Sequence, residues 1–143
     1  MQEALSLAYE SFLRQEVPIG AIIISDSTII GRGFNKTLSK SSVFRHAEIV
    51  AIEDASKNIG NHRLVNTILF STIEPCHMCA KAIIDARISH VIFGAREPKS
   101  GSIVSVDNFL EGSFHNHRVS YEEGILKDEC REIMQRFFKA RRN

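Results

Sequence analysis

Two short stretches, His46-Ala47-Glu48 and Glu74-Pro75-Cys76-His77-Met78-Cys79-Ala80, decide how this chain is to be read. They lie 76 − 46 = 30 positions apart, and together they supply one imidazole, two thiols and a carboxylate. A structural zinc site is closed by four protein ligands, whereas a catalytic one uses three and leaves the fourth position to water. Three ligands with a carboxylate left over therefore imply an enzyme.

The roles follow from charge and spacing. Zinc takes cysteine as thiolate and histidine as neutral imidazole, so His46, Cys76 and Cys79 would give a nearly neutral site that still polarises water. Lowering the pKa of that water from about 16 to about 7 eases hydroxide formation by roughly 12 kcal/mol. Glu48 is the natural proton carrier. Pro75 suits the first position of a helix, and Cys76 and Cys79, three apart, would share a helical face. Each piece alone is weak: a lone His-x-Glu is usually incidental, and a lone Cys-x-x-Cys fits a redox pair or half of a structural zinc site. In this order, with Pro before the first Cys, they form the known signature of the zinc deaminases.

Working outward, 143 residues suffice for one domain that buries about 68–70% of its unfolded-chain surface. Three cysteines, two assigned to metal, fit a reducing compartment, with Cys130 a core residue. No long apolar span and no leader pattern is found, so the expectation is a soluble, cytoplasmic protein. The net charge of +1 excludes nothing. A nucleic-acid partner would need a local patch, which Arg131, Arg136, Lys139, Arg141 and Arg142 offer; a solvated helical face is the alternative that charge alone leaves open.

Periodicity predicts a helix over 3–14 ended by Pro18, then a hairpin of two apolar runs, 19–24 and 29–34, joined through Ser25-Asp26-Ser27. A helix runs from His46 to near Gly60, followed by a strand over 67–72, a helix over 76–87 and a strand over 90–93. Residues 95–116 read as a long polar connection, 118–121 as a last short strand, and Leu126, Cys130, Ile133 and Phe137 as the buried stripe of a C-terminal helix. Alternating strands and helices imply an α/β layered domain, and the last connection is long enough for a parallel crossover.

The chain resembles the bacterial tRNA-specific adenosine deaminases over nearly its whole length. The segments that carry the resemblance are Glu16-Val17-Pro18-Ile19-Gly20-Ala21, Phe34-Asn35, the two metal clusters, Phe93-Gly94-Ala95-Arg96, Asn116-His117-Arg118-Val119 and Gly124-Ile125-Leu126. The resemblance implies a single zinc-dependent deaminase domain over 1–143, with a three-layer fold in which helices flank a five-stranded mixed sheet. It implies conversion of the wobble adenosine of tRNA to inosine by zinc-activated water, with Zn2+ on His46, Cys76 and Cys79 and Glu48 carrying protons. It further implies that Asn35 contacts the substrate, that Pro18 and Ile19 wall the pocket, that Glu97 stands beside the bound nucleotide backbone, and that the chain forms a homodimer. As a bare residue Asn35 would more often close a strand-end turn. Lys139, Arg141 and Arg142 are the candidate contacts to the RNA of the anticodon loop.

Four positions depart from the family pattern: Glu97 stands where Asp is common, and Arg45, His77 and Lys81 where apolar or small residues are. His77 is expected to project from a different side of the helix as a supporting or substrate-side residue and not as a ligand. Two other functions stay open at this stage. A deaminase of free guanine, cytosine or a nucleoside would need a closed pocket, and a non-catalytic RNA-binding subunit with structural zinc would have no use for Glu48.

Overall fold

The apolar runs at 19–24 and 29–34 form the expected hairpin in the computed structural model, which describes residues 1–142. β1 (Gly20–Ser25) and β2 (Thr28–Phe34) pair antiparallel through a two-residue turn. Its residues Asp26 and Ser27 both take positive φ, 47° and 64°, the twist that matches a right-handed hairpin. β1 also pairs antiparallel with β3 (Ile68–Ile73). β3, β4 (His90–Ala95) and β5 (Ser120–Glu123) then run parallel, giving a five-stranded mixed sheet in the order β2-β1-β3-β4-β5.

Helices cover both faces. α1 (Gln2–Leu13) and α4 (Lys127–Arg142) lie on one, α2 (Ala47–Ile59) and α3 (His77–Asp85) on the other. The main core lies under α2 and α3. There Ala21, Ile23, Leu69, Val91 and Phe93, alternate residues of three strands, meet Ala47, Ala51, Ala55, Ile83 and Ile84. Close helix approach depends on missing side chains: a Cβ on Gly20 would fall 2.0 Å from the Ala4 carbonyl oxygen, and one on Gly33 would fall 2.3 Å from that of Ala47. α4 seats Cys130, Ile133 and Phe137 inward, as its stripe predicts.

The strands of the hairpin, β3 and β4 differ from the sequence expectation by one or two residues, and four further boundaries differ in ways the structure explains. α1 ends at Leu13 because Gln15 turns left-handed at φ 61°, well before Pro18. α3 begins at His77 with Cys76 as its N-cap, so Pro75 precedes the helix and does not open it. α3 stops at Asp85, and Arg87 is left-handed at φ 63°. The last strand is shifted to Ser120–Glu123, in register with β4 from His90↔Ser120 onward. There the His90 ring hydrogen-bonds Ser120 at 2.6 Å and Glu122 at 2.9 Å. α2 ends on left-handed Gly60, as expected. Among the described residues, no helix is long and apolar enough to cross a membrane.

Candidate active site

The two motif segments meet because each ends at a helix N-terminus. His46 is the N-cap of α2 and Cys76 the N-cap of α3, both extended (ψ 151° and 177°), and neither side chain caps its own helix. Both side chains are thereby free to point at each other, and Cys79 joins them from the first turn of α3. The His46 Nδ1 atom lies 3.6 Å from Cys76 Sγ and 3.4 Å from Cys79 Sγ, and all three donor atoms lie within 4.8 Å of one another.

These donors fit zinc. A tetrahedral ion bonded at about 2.3 Å to sulfur and about 2.0 Å to nitrogen separates its S and N ligands by roughly 3.5 Å. The protonation pattern points the same way. A hydrogen bond from the Cys79 thiol lowers the Cys76 pKa to about 4 against the opposing effect of burial, while the bond to Cys76 and burial push Cys79 up. His46 is raised by its hydrogen bond to Cys76, with burial opposing and the Glu48 charge adding. Protein groups alone thus push the two thiols in opposite directions. A divalent cation is what would let both sulfurs ionise.

Glu48, in the first turn of α2, is 3% exposed, and its Oε1 has no hydrogen-bond partner. Burial raises its pKa, and the Cys76 charge adds to the shift. Among the described residues no protein group takes up this oxygen, and it lies beside the His46, Cys76 and Cys79 donors.

A cavity of about 250 Å³ opens over this floor. His46, Glu48 and Cys76 form its base, Ile19 and Asn35 one wall, and Glu97 its margin. Asn35 is 4% exposed, and its backbone is fixed on both sides: its N–H donates to the Ile19 carbonyl at 3.1 Å, and its carbonyl accepts from the buried Ser11 hydroxyl at 3.1 Å. Pro18 is buried and does not line the cavity; it sits at the centre of a tight turn in which the Ile19 N–H donates to the Val17 carbonyl at 2.9 Å, and its two neighbours, Val17 and Ile19, line the cavity instead. Lys139, Arg141 and Arg142 are exposed on α4 and outside the cavity. The Arg141 guanidinium lies 5.2 Å over the Phe137 ring and donates to the Gln15 carbonyl, and Arg142 borders an adjoining groove that shares Glu97 and Phe138 with the cavity. His77 points away from the donors, to Asp107 at 2.9 Å and edge-on to Phe109.

Sequence reasoning missed Val17, Thr37, Ile73, Glu74, Ser100, Met134 and Phe138, which also line the cavity. Only Glu74 left a signal, as a carboxylate directly after the apolar run Ile68–Ile73. Burial pushes its pKa up, but the Ser105 hydroxyl and the N–H groups of Val104, Ser105 and Glu97 outweigh that and hold it below the ordinary carboxylate value.

The family model described as MafB19-like deaminase matches residues 1–142. The tRNA-specific adenosine deaminase of Streptococcus pyogenes serotype M1 is 47% identical over 142 residues, which span 99% of this chain and 83% of that protein. A solved structure from a study of A-to-I editing by tRNA:A34 deaminases at the wobble position of transfer RNA superposes with a TM-score of 0.90 at 38% identity, covering 93% of this chain and 96% of the other. The guanine deaminase from Nitrosomonas europaea superposes at 0.77 over 95% of this chain and 81% of the other, but at 19% identity it carries the fold alone.

Proposed function

The chain belongs to the MafB19-like deaminase family, and from that premise we propose that it hydrolyses the wobble adenosine of tRNA to inosine, releasing ammonia. The observation that carries the catalytic part is the buried, unpartnered Glu48 oxygen beside the His46, Cys76 and Cys79 donors at the base of one cavity. The adenosine substrate rests on the 47% identical relative and the wobble-position structure.

In this reading residues 1–143 form one domain, residue 143 lying outside the described residues, and His46, Cys76 and Cys79 would hold a zinc ion, which would supply Lewis acidity to a water molecule. Glu48 accepts a proton from the attacking water and delivers it to the ring nitrogen beside the amine-bearing carbon. It then moves the second proton to the departing amine, so that adenosine and water give inosine and ammonia. A carboxyl raised by burial suits this two-way traffic near neutral pH. The Asn35 amide can both donate to and accept from the nucleoside. Ile19 and Val17 offer the purine an apolar wall, and Glu97 at the margin accepts a hydroxyl hydrogen bond where the nucleotide backbone passes.

The anticodon loop is the partner, because a base must be splayed out of its stack to enter such a cavity. A second copy of the chain is proposed as the other partner, through the surface groove between α2 and α3 that Ile52, Ala82 and Ala86 line. The work is assigned to the cytoplasm, where tRNA substrates are met. Inosine mapping in total tRNA after incubation with the zinc-loaded protein tests the reading: inosine at a wobble position is the expected result, and turnover of free bases alone would overturn it.

A further inference from the structure

Two carboxylates that the chemistry does not use, Glu16 and Glu74, are 1% and 3% exposed. A buried carboxylate is tolerated only when its lone pairs are taken up. Among the described residues, neither forms an ion pair; both are satisfied by loop donors. Glu16 Oε1 accepts the Ser39 N–H at 2.6 Å, and its Oε2 accepts the Leu38 N–H at 3.1 Å and the Thr37 hydroxyl at 3.4 Å. Glu74 Oε1 accepts the Glu97 N–H at 3.1 Å and the Ser105 hydroxyl, while its Oε2 accepts the N–H groups of Ile103, Val104 and Ser105 at 2.8–3.0 Å. The second loop is drawn in so tightly that a Cβ on Gly101 would fall 2.3 Å from Glu74 Cδ.

Each loop is one side of the cavity. The first, 36–45, carries Thr37 and joins Asn35 to His46; the second, after β4, carries Glu97 and Ser100. Burial does little to hold the first loop, whose Leu38, Val43 and Phe44 are all more than 60% exposed. In the second, Ile103 is buried and shares the anchoring.

We infer that Glu16 and Glu74 are positioning residues, a matched pair of anion clamps that hold the two rims of the cavity in the shape that accepts the target nucleotide. The inference rests on the proposed tRNA reading for its substrate, not for its geometry. A clamp of this kind acts on the fraction of molecules whose rim is competent, and apparent affinity falls in proportion to that fraction. Among the described residues, neither carboxylate hydrogen-bonds to His46, Glu48, Cys76 or Cys79, so the chemical step is expected to persist once the substrate is seated.

The experiment compares zinc-loaded wild type with Glu16→Gln, Glu74→Gln and the milder Ser105→Ala, measuring zinc content, steady-state kinetics on a tRNA and amide hydrogen exchange. The glutamine variants should raise KM about tenfold or more with kcat within about threefold. Exchange should speed up at Leu38 and Ser39 in the first variant and at residues 103–105 in the second, with the amides of β1 and β3 still protected. Ser105→Ala, which removes one donor and leaves the buried carboxylate intact, should give a smaller shift of the same kind. A fall in kcat at unchanged KM, or faster exchange spread over β1 and β3, would make these residues supports of the whole fold and overturn the inference. Unchanged KM with faster loop exchange would overturn it too. The exchange needs no substrate, so a wild type that forms no inosine in tRNA removes the tRNA reading alone, and the clamps then stand or fall on the loop amides.

Discussion

His46, Glu48, Cys76 and Cys79 sit at or within the first turn of two helices backed by the sheet, whereas Val17, Thr37, Glu97 and Ser100 come from loops, and Met134 and Phe138 from the outer layer. The floor is stiff for identifiable reasons. α2 lies against β1 and β2 through alanines and glycines, and His46 stands at its N-cap. The rim is held by a few hydrogen bonds to buried carboxylates and keeps exposed apolar side chains. A reaction that needs fixed proton geometry is thus assigned to packed elements, and, on the proposed reading, recognition of the RNA loop falls to segments whose shape is set by a few hydrogen bonds. If that division is right, damage to the floor should reach the chemical step, and damage to the rim should reach binding.

The largest effect is expected from the metal ligands. Cys76→Ala leaves two donors, so the protein should lose zinc, lose thermal stability and drop in activity by more than about 10⁴-fold, since both water activation and the seat of the proton carrier go. Metal analysis and a melting curve on the purified variant check this. Full zinc occupancy would break the assignment of the floor. Glu48→Ala comes next: it should keep its zinc, because the residue moves protons and does not ligate, and lose about 10²–10⁴ in kcat. Retention of more than about a tenth of the wild-type rate would remove Glu48 from the mechanism.

The same division explains what the sequence could disclose. The floor was legible because its residues fall in two compact clusters whose types match a zinc-ligand set, so that the 30 positions between them did not hide it. The core elements were legible because period-2 and period-3.6 patterns are local, down to the stop at Gly60. What the sequence hid depends on the meeting of distant segments. Glu16 reads as one more surface acid until its oxygens are seen to meet Leu38 and Ser39, more than twenty residues on. Phe138 follows the stripe residue Phe137 and faces outward, so helical periodicity assigns it to solvent, yet it closes one side of the cavity. Residues 95–116 read as a polar chain because much of the order at 97–105 comes from the distant Glu74 carboxylate, which periodicity does not register, while the buried Ile103 and Leu110 stand apart in the sequence. The tight turn closed by the Ile19 N–H on the Val17 carbonyl leaves Pro18 out of the cavity lining, a choice that the spacing of these residues alone did not reveal.

Asn35 lies between the two regimes, on the wall but with its backbone fixed by Ile19 and Ser11. Asn35→Ala deletes a neutral hydrogen-bonding group worth roughly 1–3 kcal/mol, so kcat/KM should fall about 10- to 100-fold. The split sharpens the comparison. A loss mostly in kcat would assign Asn35 to the floor, while a loss mostly in KM would assign it to the rim.

The smallest effect is expected farthest from the chemistry, on α4. Neutralising Lys139, Arg141 and Arg142 together should weaken RNA binding by about tenfold or less near physiological salt, and equally for all RNA sequences, because phosphate pairing acts through counterion release and carries no base information. The diagnostic quantity is the slope of log K against log salt, which for single-stranded RNA changes by about 0.7 for each phosphate that the protein no longer neutralises. Three independent phosphates would flatten it by about 2. Arg141 is held over Phe137 and bonded to the Gln15 carbonyl, so part of the effect of removing it should appear as destabilisation, whereas Lys139 has no such ties. Measuring Lys139→Ala alone beside the triple variant separates the two, with a melting curve for each. An unchanged slope in the triple variant, with turnover on tRNA intact, would mean that α4 presents a solvated face and that the rim loops bind the RNA unaided.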